Sequence, residues 1–324
     1  MSIQKSLRLS LVLMACLPLI FLTIFTYNLS YKKYMDLATQ STVELAKNYG
    51  MGFQSQLNSQ IAEVEGLANG TNIQNLVLEN YNGVTLGNDS PYYTNVTDLF
   101  ATASDYAGNN VNYYLYDVNG YYITSSDNTN TDDWQEHMAI PVEDITETKI
   151  LQCSPLDEIE SIDVVSPIII KSQIVGLIRA NITSRYFGSF IPEDGSAFIM
   201  TNDGGYLFTS TGLTGQRELE TQAFNCLNGA DNAKDYGHLK ASSFKNIYGF
   251  CKLSDSNWLY LIKQQGTQYQ QILATLPITM SITLIIILMI AIWVSRILSA
   301  KYTEPIFTPV SYTHLRAHET RGNL

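Results

Sequence analysis

Two uncharged apolar spans bracket this chain and constrain it more than any motif inside it. Residues 9–25 read LSLVLMACLPLIFLTIF and residues 276–294 read LPITMSITLIIILMIAIWV. Each approaches the roughly 20 residues that cross a bilayer core as a helix. Lys5 and Arg8 precede the first span, and Arg296 and Lys301 follow the second. Basic flanks prefer the cytoplasmic side, so the segment between them, residues 28–273, is expected outside the membrane. A cleaved signal peptide also begins with a basic end and an apolar middle. The following TYNLSYKKYMD has no small-x-small cleavage site and keeps a helical pattern, so an uncleaved anchor is expected.

Composition excludes one class of partner. The chain holds 30 Asp and Glu against 19 Lys and Arg, a net charge of -11. Nucleic-acid affinity comes largely from neutralising phosphates, so no nucleic acid is expected to bind. The charge reads as solubility outside the cell, or as a field that draws in a cation. Of the four cysteines, Cys16 lies in the first span and leaves Cys153, Cys226 and Cys251 outside. An odd number cannot pair completely within one chain. Cys226 with Cys251, or three free thiols, both remain open.

The last residues depart from everything before them. Residues 309–320 (PVSYTHLRAHET) read back codon for codon as a transposase-based sequencing adapter, so 309–324 is expected to be artefactual. The natural chain is then expected to continue beyond about Thr308 into a cytoplasmic output domain. His314 and His318 at an i, i+4 spacing are discarded as a metal pair for the same reason.

Periodicity organises the outer segment. Leu45, Tyr49, Phe53, Leu57, Ile61, Val64 and Leu67 recur every three or four residues, one apolar face of a helix over 28–68. Residues 82–112 read as polar and turn-rich. VNYYLYDV and YYITSS, divided by Asn-Gly, read as a hairpin. VVSPIII and IVGLIRANI read as neighbouring strands across a KSQ turn. GSAFIMTNDGGYLFTS then repeats the strand, Asp-Gly turn and strand, and NIYGFCKLSDSNWLYLIKQ supplies another pair. Two copies of one hairpin-centred unit imply two subdomains, with a boundary near residues 187–194.

These segments resemble a double Cache sensor domain, the extracellular or periplasmic module of bacterial chemoreceptors, sensor kinases and cyclases. The resemblance spans residues 28–273 and rests on the long helix, LYDVNGYYITSS, SPIIIKSQIVGLIRANIT, AFIMTNDGGYLFTS and SNWLYLI. It implies an α+β fold: two PAS-like (Cache) subdomains with antiparallel sheets and a long N-terminal helix, between two transmembrane helices. The organisation expected is a cytoplasmic N-terminus (1–8), a first span (9–27), a juxtamembrane helix (28–68), a membrane-distal lobe (69–187), a membrane-proximal lobe (188–273) and a second span (275–295). SRILSAKYTEPI, residues 295–306, resembles the start of a HAMP linker, expected over 296–308, with Pro305 and Ile306 at its Pro-Ile step.

The resemblance implies a small-molecule extracellular ligand in the distal lobe, contact with membrane lipid, a homodimer, and no chemistry in this chain. The output expected first is a histidine kinase, with a diguanylate cyclase, chemotaxis module or DNA-binding regulator as alternatives. Relatives that bind amino acids pair an Arg with a Trp and meet the amino group with Asp. Here no Arg falls between Arg8 and Arg179, Trp134 stands without a basic partner, and Asn181 takes an Asp position. On that reading the distal lobe has no Arg, and an α-amino acid is disfavoured.

Tyr114, Tyr116, Tyr122, Trp134, Asp163 and Asn181 remain as candidate ligand-binding residues. Alternation sends Tyr114 and Tyr116 to one face. Aromatic faces beside carboxylates suit an amine or similar cation; ordinary amphipathic strands or a neutral sugar fit the same residues. No cofactor or metal is expected. His137 and His238 lack partners at ligand spacing, and DVNG and TNDGG lack the acidic spacing of a calcium loop and read as hairpin turns. Rival readings are a ligand-independent dimerisation or partner-binding module and a membrane-tethered enzyme or adhesin.

Overall fold

The computed structural model describes residues 3–83, 90–127, 134, 140–152, 161–191, 196–201, 206–208, 217–228, 235–243 and 246–319. Cys153, His137, the Asp-Gly turn at 202–205 and most of the TDDWQEHM loop lie outside them, as does part of the expected boundary between subdomains. The chain divides into two bodies, Thr39–Gln265 and the terminal helical segments.

Helix α1 (Ile3–Ala68) supplies the spine of the larger body. Its innermost residues are Thr42, Ala46, Phe53, Leu57, Gln60, Val64 and Ala68, whereas Leu45, Tyr49, Ile61 and Leu67 only flank the core. The buried stripe is thus rotated from the one that large apolar residues mark. Close approach explains the rotation. A Cβ on Gly50 would lie 2.9 Å from the Cys251 Cβ, and one on Gly249 would lie 2.5 Å from the Thr42 carbonyl oxygen. Small residues sit where the helix meets the sheet.

Helices α2 (Thr71–Tyr81) and α3 (Pro91–Tyr106) follow. The second corrects the expectation of a turn-rich stretch over 82–112. Ser90 caps the helix, its Oγ accepting from the Tyr93 N–H, and Pro91 sits in the first turn, where its missing N–H costs nothing. Val96, Phe100 and Ser104, four residues apart, turn inward. Polar residues on the outer face hid this periodicity.

The first sheet comprises β1 (Val111–Asp117), β2 (Tyr122–Ser125), β3 (Lys149–Gln152), β4 (Ser161–Ile170) and β5 (Gln173–Thr183), in the order β2-β1-β5-β4-β3. All neighbours are antiparallel. The second comprises β6 (Ala197–Met200), β7 (Tyr206–Phe208), β8 (Tyr236–Ser243), β9 (Asn246–Leu253) and β10 (Trp258–Gln264), in the order β7-β6-β10-β9-β8. One topology occurs twice, as the repeated hairpin grammar predicts. Helix α4 (Arg217–Asn228) precedes β8.

Alternation along each strand assigns two faces to the first sheet. Tyr113, Leu115, Ile162, Val164, Ile178 and Ala180 join one core with residues of α1, α2 and α3. Tyr114, Tyr116, Val165 and Leu177 form a separate cluster with Trp134, Val142 and Ile145. In the second sheet, Cys251 and Tyr260 belong to the core shared with α1, while Cys226 packs against a cluster containing Phe250 and Leu261. The two cysteines therefore serve opposite sides of the sheet and form no disulfide with each other.

In the terminal body, α5 (Thr267–Glu319) contains 269–298, one stretch among the described residues long and apolar enough to cross a membrane. The expected second span lies inside it. The first span falls within α1, but several of its side chains lie outside the described residues, as do those of the tail from Pro309. Leu19, Leu22, Leu276, Met280 and Leu284 line a shared seam between the two segments, and Tyr34 and Tyr269 rings lie 6.2 Å apart. Thr23, Thr26, Ser281 and Thr283 turn their hydroxyls back onto carbonyls four residues earlier.

Candidate functional site

The face of the first sheet opposite α1, α2 and α3 gathers a dense polar cluster. Antiparallel register sets it in rows: Tyr114 opposite Arg179 and Arg179 opposite Val165, then Asn112 opposite Asn181 and Asn181 opposite Asp163. These residues share a face because each lies two positions from the next along its strand.

Asp163 is fully buried, and both its oxygens are engaged. Asn181 Nδ2 donates to Oδ1 at 2.8 Å, and Arg179 Nε lies 3.0 Å from Oδ2. The latter contact has ion-pair distance, but its N–H is not aligned as a hydrogen bond. The Arg179 guanidinium also lies over the Tyr114 ring, 5.0 Å from its centroid. Burial pulls the Arg179 pKa down, yet Asp163 and Tyr116 more than offset this, and the net shift is upward. A fixed positive charge therefore sits at the centre of this face.

The tyrosines extend the network outward. Tyr114 donates its hydroxyl to Asp127 Oδ2 at 3.3 Å, and Ser125 Oγ donates to Asp127 Oδ1 at 3.2 Å. The Tyr122 hydroxyl shares a 2.9 Å hydrogen bond with Ser125. Tyr116 packs edge-on against Tyr122 and Trp134, with centroids 6.5 and 5.8 Å away. Burial raises the pKa of Tyr114, Tyr116 and Tyr122, so each is a neutral phenol. Trp134 is anchored by its indole N–H to the Ile140 carbonyl at 2.6 Å and by its backbone N–H to Gly120 at 2.7 Å. Gly120, at φ 85, leaves room for it: a Cβ there would lie 3.2 Å from the Trp134 Cβ. The turn between β1 and β2 uses Asp117 for backbone support, its Oδ1 accepting from Asn119 and Tyr121 N–H groups.

All six residues expected from sequence belong to this face or its cover. One expectation is corrected. The first lobe does contain an arginine, because Arg179 lies on β5, the central strand of its sheet. The absence of any Arg between Arg8 and Arg179 says nothing about a strand that includes Arg179 itself. Ser125, Asp127 and Ser161 were also missed; the two-residue spacing of Arg179 and Asn181 in GLIRANIT was the available signal.

Four buried polar atoms on this face make no aligned hydrogen bond among the described residues: Asp163 Oδ2 and Arg179 Nε, which face each other as an ion pair, and Tyr116 Oη and Arg179 Nη1. The last two carry N–H or O–H donors. Each such group costs about 1–3 kcal/mol unless something accepts from it. The site thus holds a guanidinium cation of its own, and the Tyr116 hydroxyl and Arg179, which lie beside each other without an aligned hydrogen bond, keep donor capacity for an acceptor oxygen.

No protein-family model and no curated protein sequence matches the chain. Solved structures do. The domain of a protein assigned to the sensory box/GGDEF family of Vibrio parahaemolyticus aligns with a TM-score of 0.51 at 11% identity, covering 73% of this chain and 99% of that one. The sensor domain of the V. cholerae histidine kinase DctB aligns at 0.48 and 10% identity, covering 72% and 98%. The ligand-binding domain of the Campylobacter jejuni chemoreceptor Tlp3, solved with L-valine, aligns at 0.46 and 14% identity, covering 75% and 98%. The first of these likenesses establishes a shared fold. The chain has the double Cache sensor fold that its sequence resembles: mixed helix and sheet, two antiparallel sheets and a long N-terminal helix.

Proposed function

We propose that Thr39–Gln265 is the extracellular ligand-sensing part of a transmembrane signalling protein and performs no chemistry itself. A small molecule carrying a carboxylate or carbonyl oxygen would bind on the face of the first sheet opposite α1, α2 and α3. The donors Tyr116 Oη and Arg179 Nη1, adjacent to each other but without an aligned hydrogen bond, carry this reading. A site rigid enough to hold two donors unsatisfied is prepared for an acceptor, and the ligand recovers their lost hydrogen bonds. The shared fold with the domain of the sensory box/GGDEF family protein supports the same reading. The lobes would work as a homodimer that reports to a cytoplasmic output, a histidine kinase first among the alternatives.

Amino acids regain standing as ligands, because the reason for disfavouring them was a missing arginine. A second reading, an amine, is favoured by Asp127, a partly exposed carboxylate held beside the Tyr114 and Tyr122 rings. The buried Asp163 is a poorer amine partner, since Arg179 already neutralises it.

The test is a thermal-shift screen of the intact chain in detergent against organic acids, amino acids, amines and sugars. A ligand at a hundred times its dissociation constant stabilises the fold by about 2.7 kcal/mol. The expected result is a shift with carboxylate-bearing compounds that Tyr116→Phe diminishes. A shift with amines alone transfers the site to Asp127. No shift across the panel supports a dimerisation or partner-binding module instead.

A further inference from the structure

A second cavity, of about 370 Å³, lies where helix α1 meets the edge of the first sheet and the β9–β10 turn. Its size falls within the usual range for small-molecule sites, about 300–1,000 Å³. The four-residue turn 254–257 closes with Asn257 at φ 54 and presents Asp255 and Ser256 to the helix. Asp255 Oδ2 accepts from Asn58 Nδ2 at 2.8 Å and from Gln54 Nε2 at 3.3 Å, and Oδ1 accepts from Ser254 at 3.3 Å. No cation among the described residues pairs with this carboxylate.

The amides fix the polarity of the cavity. Gln54 must turn its Nε2 toward Asp255 and Asn58, which leaves its Oε1 buried without a partner. Ser256 Oγ is also buried and unpartnered. Thr148, across the cavity, spends its hydroxyl on Ser166. The cavity is therefore bordered by two buried oxygen atoms without aligned partners and, at its mouth, by the exposed Asp255 carboxylate, beside the Trp258 side chain. The carboxylate disfavours an anion and attracts a cation. A primary ammonium supplies one positive charge and three N–H donors on one atom.

We propose that this junction is a second ligand site, for a small primary amine, separate from the polar face of the first sheet. Gln54 Oε1, Ser256 Oγ and the Asp255 carboxylate would receive its N–H groups, and Trp258 would cover its carbon stem. Occupancy would link α1 to residues of both lobes and so favour whichever arrangement keeps the three together.

Ethanolamine is the probe, titrated calorimetrically into the intact chain in nanodiscs, with choline, which has no N–H donors, as control. Ethanolamine is expected to bind and choline to fail. Asp255→Asn, a surface-turn change, should weaken ethanolamine about tenfold or more, and Gln54→Leu should weaken it as well. Tyr116→Phe should leave it unchanged. Equal binding by wild type and Asp255→Asn overturns the proposal, as does choline binding as tightly as ethanolamine, or no saturable ethanolamine binding. Loss in Tyr116→Phe with retention in Asp255→Asn places the amine on the first sheet, which overturns this site while leaving the sensor reading intact.

Discussion

Arg179 and Asp163 project from neighbouring strands onto one face, Nε 3.0 Å from Oδ2, with side-chain exposures of only 8% and 0%. Removing one member of such a pair leaves the other charged and buried, at a cost of about 3–5 kcal/mol. Asp163→Asn should therefore lower stability by several kcal/mol in urea unfolding. The double change Arg179→Met with Asp163→Leu should recover most of the loss, because no charge is then stranded. A loss for Asp163→Asn under about 1 kcal/mol would mean that water screens the pair.

Tyr116→Phe separates stability from binding. Tyr116 is fully buried, and its hydroxyl makes no aligned hydrogen bond among the described residues, its polar neighbour being the Arg179 guanidinium. Deleting it removes an unsatisfied group and keeps the ring against Trp134, so the unliganded protein should gain about 1 kcal/mol. The same change should weaken an acceptor-bearing ligand. Chemical denaturation and ligand titration of one variant check both signs, and a loss of stability would show that the hydroxyl is satisfied in solution.

Alkali should destabilise the larger body early. Burial raises the pKa of Tyr113, Tyr114, Tyr116 and Tyr260 above the ordinary 10.0, and that of Cys251 above 9.0. Each group stays protonated in the fold while the unfolded chain ionises, so the unfolded state binds fewer protons at high pH. Their contribution is complete below pH 9.0 and is lost as pH rises, first through Cys251 and then, from 10.0, through the tyrosines. Each ionising group costs about 1.4 kcal/mol per pH unit. Urea midpoints measured from pH 8 to 11 should fall with increasing slope; a flat profile would mean that these hydroxyls ionise in place.

Much of this architecture was legible because its signals are local. Tyr114 and Tyr116 share a face by strand alternation alone, and Asn119-Gly120 marked the β1–β2 turn. The repeated hairpin forecast two sheets of one topology. What stayed hidden depends on contacts between distant segments. Helix α3 carries so many polar residues that Val96 and Phe100 stand out only once the first sheet lies beneath them. Arg179 looked remote from the site because position along the chain stood in for position in the sheet, yet β5 is its central strand. The cavity at Gln54 and Asp255 joins residues 201 positions apart, which no spacing rule can find.

The approach of α1 to the second sheet depends on the absence of one side chain. A Cβ on Gly249 would lie 2.5 Å from the Thr42 carbonyl oxygen, 2.9 Å from its carbonyl carbon and 3.1 Å from the Ala46 Cβ. Two of these neighbours are helix backbone, which cannot rotate aside as a side chain would. Gly249→Ala must therefore push the helix off β9 or bend the strand, and overpacking of this kind costs about 1–3 kcal/mol. The displacement would also strain the Thr42 Oγ1 hydrogen bond to Gln264, now 2.8 Å. Gly237→Ala is a useful contrast, because its Cβ would meet the far end of the Phe250 ring, at 2.9 Å, rather than backbone. Thermal unfolding should show the larger loss for Gly249→Ala, and hydrogen exchange should rise along α1 near Thr42 and Ala46 in that variant only. Equal losses without added exchange in α1 would mean that the helix gives way without cost, and that its seat on β9 is looser than the glycine contact implies.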